Sequence, residues 1–450
     1  MSVINKPVPL FPLLLSNFIG TLGFSIVLPF MVFLVIDFGG NSIIYGILAA
    51  MYPLFQLIGA PILGRWSDTY GRKKVLLISN GGTLVGWIIF LFAFLLPATS
   101  LLSISSAIIG TFAITLPLVV LFFARSLDGI TGGNVSVANA YLADVSTDKN
   151  RSKNFGKMAI SSNLGFIVGP ALAGILGGTI YKEILPVLAA TVVSLIALVV
   201  IGFTLKESKP NTAGDSAGAR AGAAAAAAAA MPIPEKDSIR KVFSCEVKEC
   251  YRIPNPANLK FQDVFKLKHI SYLLVLYFFI FLGFNIYYTS FPIHAVAGLK
   301  WSITQMGVFY SVLGGVMILV QGPVLRKALK KFSEEKLVVI GSLLLGVNFT
   351  LFVSDNIALI FGAVVLFALG NGLMWPSFMS ILTRFAGTIH QGAVQGVASS
   401  IGSLASIIGL VVGGLLYNSI GVSNFLISAG FIFLVFILSF RLLKIGGPMI

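Results

Sequence analysis

Long apolar stretches, separated by short polar connections, make up most of this 450-residue chain. A helix needs about 20 apolar residues to cross the hydrocarbon core of a bilayer, and each stretch is close to that length. The pattern predicts an all-α membrane protein with twelve transmembrane helices. We place these helices at residues 10–36, 43–64, 75–97, 115–142, 155–179, 184–205, 270–297, 304–326, 336–353, 357–384, 392–416 and 422–441.

The composition excludes a soluble globular protein. The chain is 57% hydrophobic and 10% charged, whereas ordinary soluble proteins carry about 25% charged residues. The surplus of apolar side chains must therefore face lipid. The sequence also lacks a paired nucleophile and base or a phosphate-binding loop, so we expect neither an enzyme nor a cofactor.

The net charge of +15 is distributed as in a membrane protein. Lys and Arg concentrate at residues 65–74, 149–157, 206–268, 326–336 and 441–444, while the alternate connections carry little beyond Lys182 and Lys300. This positive-inside asymmetry predicts that both termini and the central connection are cytoplasmic. We expect a monomer in a plasma or inner membrane that binds no nucleic acid.

A polar segment at residues 207–269 divides the chain into two halves, 1–206 and 270–450, each predicted to be a six-helix bundle. The segment contains five prolines and the alanine run Ala223–Ala230, and such a composition predicts a largely disordered cytoplasmic linker. Its last part, Phe261 to Lys268, is predicted to be amphipathic and to lie at the membrane surface.

The two halves resemble each other in sequence. Ala60-Pro61-Ile62-Leu63 aligns without gaps on Gly322-Pro323-Val324-Leu325. Two six-helix halves related by repetition are typical of transporters whose substrate site lies between the halves. Later in the two halves, Gly169 falls opposite Gly409 and Gly174 falls opposite Gly414.

Residues 98–114 are extra to this scheme. They are apolar and rich in serine, and they lie between the third and fourth predicted spans. A further full crossing there would invert every later connection and remove the basic asymmetry. We therefore predict an elongated helix end or a hairpin on the non-cytoplasmic side.

Arg125 and Asp128 are charged residues inside the fourth predicted span. Charges within a bilayer are costly and normally mark ion or substrate pathways. At a spacing of three the two residues share one helix face. Burial disfavours the ionised form of the Asp128 carboxylate, whereas the guanidinium of Arg125 favours it. We predict that the pair couples transport to protons; a static ion pair is the alternative.

The fifth predicted span carries Gly165, Gly169, Pro170 and Gly174. Glycines at this spacing make a smooth helix face that a neighbouring helix can approach closely, and a proline removes a backbone hydrogen bond and permits a bend. We predict a hinge and a tight seam between helices. Ordinary helix packing is the alternative.

A charged turn connects the second and third predicted spans. Gly71 allows a backbone conformation that side chains resist, and Asp68 is placed to interact with a neighbouring helix N-terminus or with Arg72. We predict that Gly64, Asp68, Gly71, Arg72 and Lys73 form a conformational latch that joins the halves on the cytoplasmic face. A basic turn that only sets topology is the alternative.

Polar groups along the spans are the candidates for a substrate cavity, because unpaired amides are unfavourable in lipid and should face the interior. Cys245 and Cys250 form an isolated pair in the linker, so we expect no metal site. The cavity candidates are Asn17, Gln56, Asn134, Asn139, Asn163, Asn285, Tyr287, Tyr288, Asn371 and Trp375.

Taken together, these residues resemble a known family. The likeness covers nearly the whole chain except the linker and residues 98–114. It implies the twelve-helix major facilitator fold, alternating access, efflux driven by proton entry, a role for Arg125 in proton coupling, and a Gly-Pro helix of the antiporter type. The segments that look like the tetracycline/proton antiporters and their drug:proton antiporter relatives are Tyr45–Leu77, Arg125–Gly132, Ala140–Asp144, Gly165–Gly178 and His390–Gly396.

The chain departs from that family in its acidic residues. The tetracycline carriers bear one in the first span and one in the ninth, but Gly20–Pro29 and Val338–Val353 contain none. Asp128 stands where those carriers have a neutral residue. We therefore do not expect tetracycline–metal recognition, and we hypothesise that Asp128 has taken over the coupling role.

The sequence thus favours a proton-coupled exporter of a small organic or amphiphilic compound. Two alternatives stay open at this point. One is a proton symporter or facilitator that imports a nutrient on the same fold. The other is a membrane receptor or scaffold, without transport activity, whose linker recruits partners.

Overall fold

The computed structural model describes residues 10–106, 109–146, 148–208 and 261–445, so most of the linker, with its alanine run and both cysteines, lies outside the described residues. The described chain is almost entirely helical. Its first half contains α1 (Phe11–Ile26), α2 (Met31–Asp37), α3 (Ser42–Tyr70), α4 (Arg72–Ala93), β1 (Ser100–Ser106), β2 (Gly110–Thr115), α5 (Leu116–Thr131), α6 (Asn134–Val145), α7 (Asp148–Gly177) and α8 (Ile184–Thr204).

The second half follows the same helical plan. It contains α9 (Phe261–Val264), α10 (Ile270–Ala297), α11 (Ile303–Leu319), a π-helical turn (Val320–Val324), α12 (Leu325–Ala328), α13 (Glu334–Leu351), α14 (Ile357–Ile420), a 3₁₀ turn (Gly421–Ser423) and α15 (Asn424–Ile445). In the part of the chain that is described, eight helices are long and apolar enough to cross a membrane, and the bent pair α1–α2 would make a ninth.

The fourth predicted span, 115–142, is not one helix. Gly132 and Gly133 separate α5 from α6. Neighbouring side chains donate hydrogen bonds to the carbonyls that this break exposes. Gln56 donates to the Gly132 carbonyl at 2.8 Å, and Ser79 donates to the last carbonyl of α5. Inside a membrane, freed backbone groups must find such partners.

Two further expectations differ from the structure. The first predicted span bends by 40° between α1 and α2, where Pro29 interrupts the helix. The tenth and eleventh spans are joined in α14, which runs for 64 residues, because their connection has no proline and a single glycine costs a helix only about 1 kcal/mol. In α9, Val264 is 1% exposed and packs against the core of the second half, and the position of this helix at the membrane surface stays a prediction.

Within residues 98–114, β1 and β2 pair as the two strands of a β-hairpin, so of the two alternatives predicted for this segment the hairpin is confirmed. Strand β1 pairs antiparallel with β2, with Leu102 opposite Ile114 and Ser106 opposite Gly110. Apolar residues and serines alternate only from Leu102 to Ser105 of β1, which is the period that a strand with two different faces requires.

The sequence repeat reappears in the packing of the helices. A Cβ added to Gly169 would lie 2.9 Å from the backbone of Ile26, in the first helical stretch of its half. A Cβ added to Gly409 would lie 2.9 Å from the Leu282 carbonyl of α10, the corresponding helix of the second half. Both glycines therefore allow the same close approach between corresponding helices.

The next pair of aligned glycines joins the two halves to each other. A Cβ on Gly174 of α7 would lie 2.8 Å from the Cα of Gly307 in α11, and a Cβ on Gly414 of α14 would lie 3.3 Å from the Cα of Gly46 in α3. At these two seams the backbones approach so closely that side chains would have to be displaced.

Candidate functional site

A cavity of about 480 Å³ lies between the two halves. Its wall is mainly aromatic and aliphatic, and its volume is in the ordinary range for small-molecule sites. The first half lines it with the α1–α2 bend, α3, α5 and α7, and the second half with α10, α11, the π-helical turn and α14. The polar lining residues are Tyr45, Tyr52, Gln56, Arg125, Asn163, Asn285, Tyr287, Tyr288, Tyr310, Gln321, Asn371 and Ser406.

Arg125 is the one charged side chain among the described lining residues, and it is 5% exposed. Its Nη1 lies 3.2 Å from Asp128 Oδ2, and its Cζ lies 5.1 Å from the ring centroid of Tyr52. Asp128 Oδ1 accepts a hydrogen bond from Thr83 of α4 at 2.9 Å. The ion pair therefore presents its guanidinium to the cavity and holds its carboxylate against α4.

This arrangement makes the charge of the cavity wall depend on one proton. When Asp128 is ionised, the Arg125–Asp128 pair is neutral overall. When Asp128 is protonated, the buried guanidinium keeps a positive charge that no described lining residue balances. At cavity distances and low effective dielectric constant, such a charge acts strongly on an ionic ligand.

The guanidinium also has spare hydrogen-bonding capacity. Its Nε is buried without a hydrogen-bond partner, and so is the hydroxyl of Tyr288, which lines the same cavity. Buried donors of this kind are normally satisfied by a partner. Both are therefore available to acceptor atoms of a ligand.

Amide side chains from the two halves meet in the cavity. Asn163 of α7 donates a hydrogen bond to Gln321 Oε1 at 3.2 Å. Gln321 lies in the π-helical turn, which contains Pro323, a residue that cannot donate a backbone hydrogen bond. π-Helical turns occur frequently at functional sites. We did not predict Gln321; the signal for it was the repeat alignment, which placed a proline at this depth in both halves.

The other predicted cavity residues divide into two groups. Asn17 donates hydrogen bonds to a carbonyl and a hydroxyl of α7, Trp375 packs among the rings of the second half, and Asn139 is half-buried in α6. None of these three is among the described lining residues, and the side chain of Asn134 lies outside the described part. The predicted residues that line the cavity are Gln56, Asn163, Asn285, Tyr287, Tyr288 and Asn371.

The predicted latch residues lie together at one end of the molecule. Arg72 Nε is 3.1 Å from Asp144 Oδ2, and Arg72 Nη1 donates to Ser67 Oγ at 2.6 Å. Ser208, at the start of the linker, donates to the same carboxylate at 3.0 Å. This buried network ties the turn to α6 and to the chain that follows α8.

Gly71 and Lys73 complete that network. Gly71 has φ +105°, and a Cβ there would lie 2.5 Å from a carboxylate oxygen of Glu207. The same side chain accepts from the backbone N–H of Lys73 at 3.2 Å, and Lys73 Nζ donates to the Gly202 carbonyl at 2.7 Å. These contacts join the turn to the rest of the first half and to the first residues of the linker, and none of them reaches the second half. The side chain of Asp68 is not described, so a contact between the halves stays a prediction.

A helical membrane protein with a central cavity lined by residues of two halves that resemble each other in sequence has the architecture of a secondary transporter. The chain belongs to the Major Facilitator Superfamily, whose family model matches residues 13–405 and 273–448. It is thus a multi-pass membrane transporter and not an enzyme, and the family resemblance drawn from its residues is confirmed.

The chain is similar to bacterial resistance proteins over most of its length. It is 28% identical to the class E tetracycline resistance protein of Escherichia coli, over 89% of this chain and 86% of that protein. It is 26% identical to multidrug resistance protein 2 of Bacillus subtilis (strain 168), over 96% and 94%.

Solved structures share the fold at low sequence identity. The human organic anion transporter MFSD10 superposes with a TM-score of 0.62 at 19% identity, covering 97% of this chain and all (100%) of that one. A D-xylose–proton symporter superposes with a TM-score of 0.69 at 13% identity, covering 96% of each chain. At such identities the likeness concerns the fold alone.

Proposed function

We propose that this protein is a proton-coupled antiporter that exports a small aromatic or amphiphilic cation by alternating access. The observation that carries the proposal is the Arg125–Asp128 pair, whose guanidinium faces the central cavity. The similarity to tetracycline and multidrug resistance proteins supports efflux as the direction.

The geometry couples a proton to a cation through charge. With Asp128 ionised, the neutral ion pair tolerates a cationic ligand in the aromatic cavity, where rings also attract cations. Protonation of Asp128 leaves the positive charge of Arg125 on the wall, and this charge repels the same ligand. A proton and a cation therefore exclude each other, which is what exchange across the membrane requires.

The sign of this coupling depends on the ligand. An anion would be attracted by the Arg125 charge that protonation uncovers, so that proton and anion would bind together. The symport alternative is therefore tied to an anionic substrate, whereas antiport is tied to a cationic one. This distinction is testable with ligands of equal shape and opposite charge.

The proposed architecture has twelve spans in two six-helix bundles, residues 1–206 and 270–450, joined by a cytoplasmic linker at 207–269. Dividing the 52-residue stretch Val394–Ile445 at its 3₁₀ turn, and adding α5 and α13 to the nine candidates, brings the count to twelve. Both termini then lie in the cytoplasm, and the protein lies in a plasma or inner membrane.

Transport of ethidium in proteoliposomes tests the proposal. Ethidium is an aromatic cation with a permanent charge and no group that titrates near neutral pH, so it carries no proton across the membrane itself and its flux reports the carrier. We expect a proton gradient to accelerate ethidium movement in the direction opposite to proton flow. Movement in the same direction as protons would establish symport and overturn the proposal.

A linker deletion separates transport from a scaffolding role. Removing residues 213–256 leaves every described cavity residue in place, so we expect proton-driven ethidium flux to persist. Loss of flux in a deleted protein with unchanged thermal stability would show that the linker takes part in transport.

A further inference from the structure

The β1–β2 hairpin is fastened to the first half of the protein. Asn41 Nδ2 donates a hydrogen bond to the Ile109 carbonyl at 2.8 Å, and the backbone N–H of Ala113 donates to the Gly39 carbonyl, also at 2.8 Å. Phe112 is 8% exposed and belongs to an apolar cluster in which most residues come from α1 to α5. These contacts fix the hairpin on the connection that precedes α3.

The same hairpin also reaches the second half. Gly110, with φ +71°, lies against Asn418 near the end of α14: a Cβ at this glycine would be 3.1 Å from Asn418 Oδ1 and 3.3 Å from Asn41 Nδ2. Asn418 Oδ1 in turn accepts a hydrogen bond from Ser42 Oγ at 3.4 Å. Gly110, the first residue of β2, therefore lies against residues of both halves, Asn41 of the first and Asn418 of the second.

The contact between the hairpin and Asn418 covers the seam between α3 and α14, one of the two seams that join the halves. The close approach of Gly46 and Gly414 lies one helical turn below Ser42 and Asn418 in α3 and α14. Tyr417, next to Asn418, packs against the apolar cluster that contains Phe112. The α3–α14 seam is thus closed by backbone contact and capped by the hairpin, at the end of the protein opposite the Arg72 network.

We propose that the hairpin is a strap that holds the non-cytoplasmic end of the transporter shut. It remains attached to the first half and docks on Asn418 of the second half. Separating α3 from α14 must break this contact, so the strap has to leave Asn418 before the cavity opens to that side. This role does not depend on which compound is carried or on the direction of transport.

Two disulfide pairs that share one cysteine test the strap. In a background with Cys245→Ser and Cys250→Ser, Gly110→Cys with Asn418→Cys crosses between the halves, whereas Gly110→Cys with Asn41→Cys stays within the first half. Both carry the same strain at Gly110, and each oxidised pair is compared with its own reduced form, because Asn41→Cys also removes the side chain that caps the N-terminus of α3. Hydrogen–deuterium exchange at the outer ends of α3 and α14 reports opening without any ligand.

We expect oxidation of the 110–418 pair to slow exchange at these ends relative to its own reduced form, and reductant to reverse the effect. Oxidation of the 110–41 pair should leave exchange at the outer end of α14 as it is in the reduced form of that pair. Equal effects of oxidation in the two pairs, or no effect in the 110–418 pair, would overturn the proposal.

Discussion

Replacing Asp128 with Asn should lock the cavity wall in the charge state that a proton normally produces. The amide keeps the size of the carboxyl group and the hydrogen bond with Thr83, but it cannot neutralise Arg125. We therefore expect Asp128→Asn to bind a cation weakly at every pH, whereas the parent protein binds it weakly only in acid.

The size of the effect follows from the cavity. A sphere of 480 Å³ has a radius of about 5 Å, so a charge at its centre lies about 7 Å from a guanidinium in the wall; with an effective dielectric constant of about 20 their interaction is roughly 2.4 kcal/mol. At 25 °C this corresponds to about a fiftyfold change in the dissociation constant. An ion of opposite sign should gain by a comparable factor.

Tetraphenylphosphonium and tetraphenylborate provide the assay, because they have the same shape and opposite charge. Binding of each is measured calorimetrically to purified protein across a pH range. The matched control is Asp144→Asn, which removes the carboxylate from another buried arginine pair that is not among the described cavity residues. Wild-type pH dependence in folded Asp128→Asn, or a shift of both ions in the same direction, would refute the reasoning.

Three smaller changes test other parts of the structure. Gly71→Ala places a side chain at φ +105°, 2.5 Å from a carboxylate oxygen of Glu207, and should lower the melting temperature. Gly64→Ala, with open space around its Cβ, should not. Equal melting temperatures of the two variants would contradict this expectation. Gly174→Leu should prevent the α7–α11 seam from closing and speed hydrogen exchange there, while Gly315→Leu, which meets nothing, serves as its control. Burial raises the pKa of Glu183 above its ordinary 4.5, and the carboxylate of Asp37 raises it further. The native state should therefore lose stability as pH rises from 4.5 through that raised pKa. Glu183→Gln should have a higher melting temperature than the parent above this pH range and the same melting temperature below it.

The arrangement of the spans was largely predictable because lipid imposes length and polarity on each helix. Helix α10 runs from Ile270 to Ala297, as predicted, and the aligned glycines at 169 and 409 occupy corresponding contacts. The break at Gly132 was missed because both flanks are apolar and periodic. Only the neighbours in three dimensions that donate hydrogen bonds to the freed carbonyls make the break tolerable.

The cavity was predictable only in part, because it depends on how each helix is rotated about its axis. Amides such as Asn163 and Asn285 were found, since polarity alone marks them as inward-facing. Tyr45 and Tyr310 were not found, since an aromatic residue in a span can face lipid, core or cavity equally well. Asn17 was placed in the cavity because a hydrogen bond between α1 and α7 leaves the same trace in sequence as a ligand contact.

The central claim is that protons and a cationic substrate move in opposite directions. The most direct measurement follows internal pH in proteoliposomes with a trapped pH dye after ethidium is added outside, with no pH gradient at the start. Antiport expels protons as ethidium enters, so the lumen should become alkaline, and Asp128→Asn should abolish the change. Acidification of the lumen, or ethidium entry without a pH change, would contradict the account.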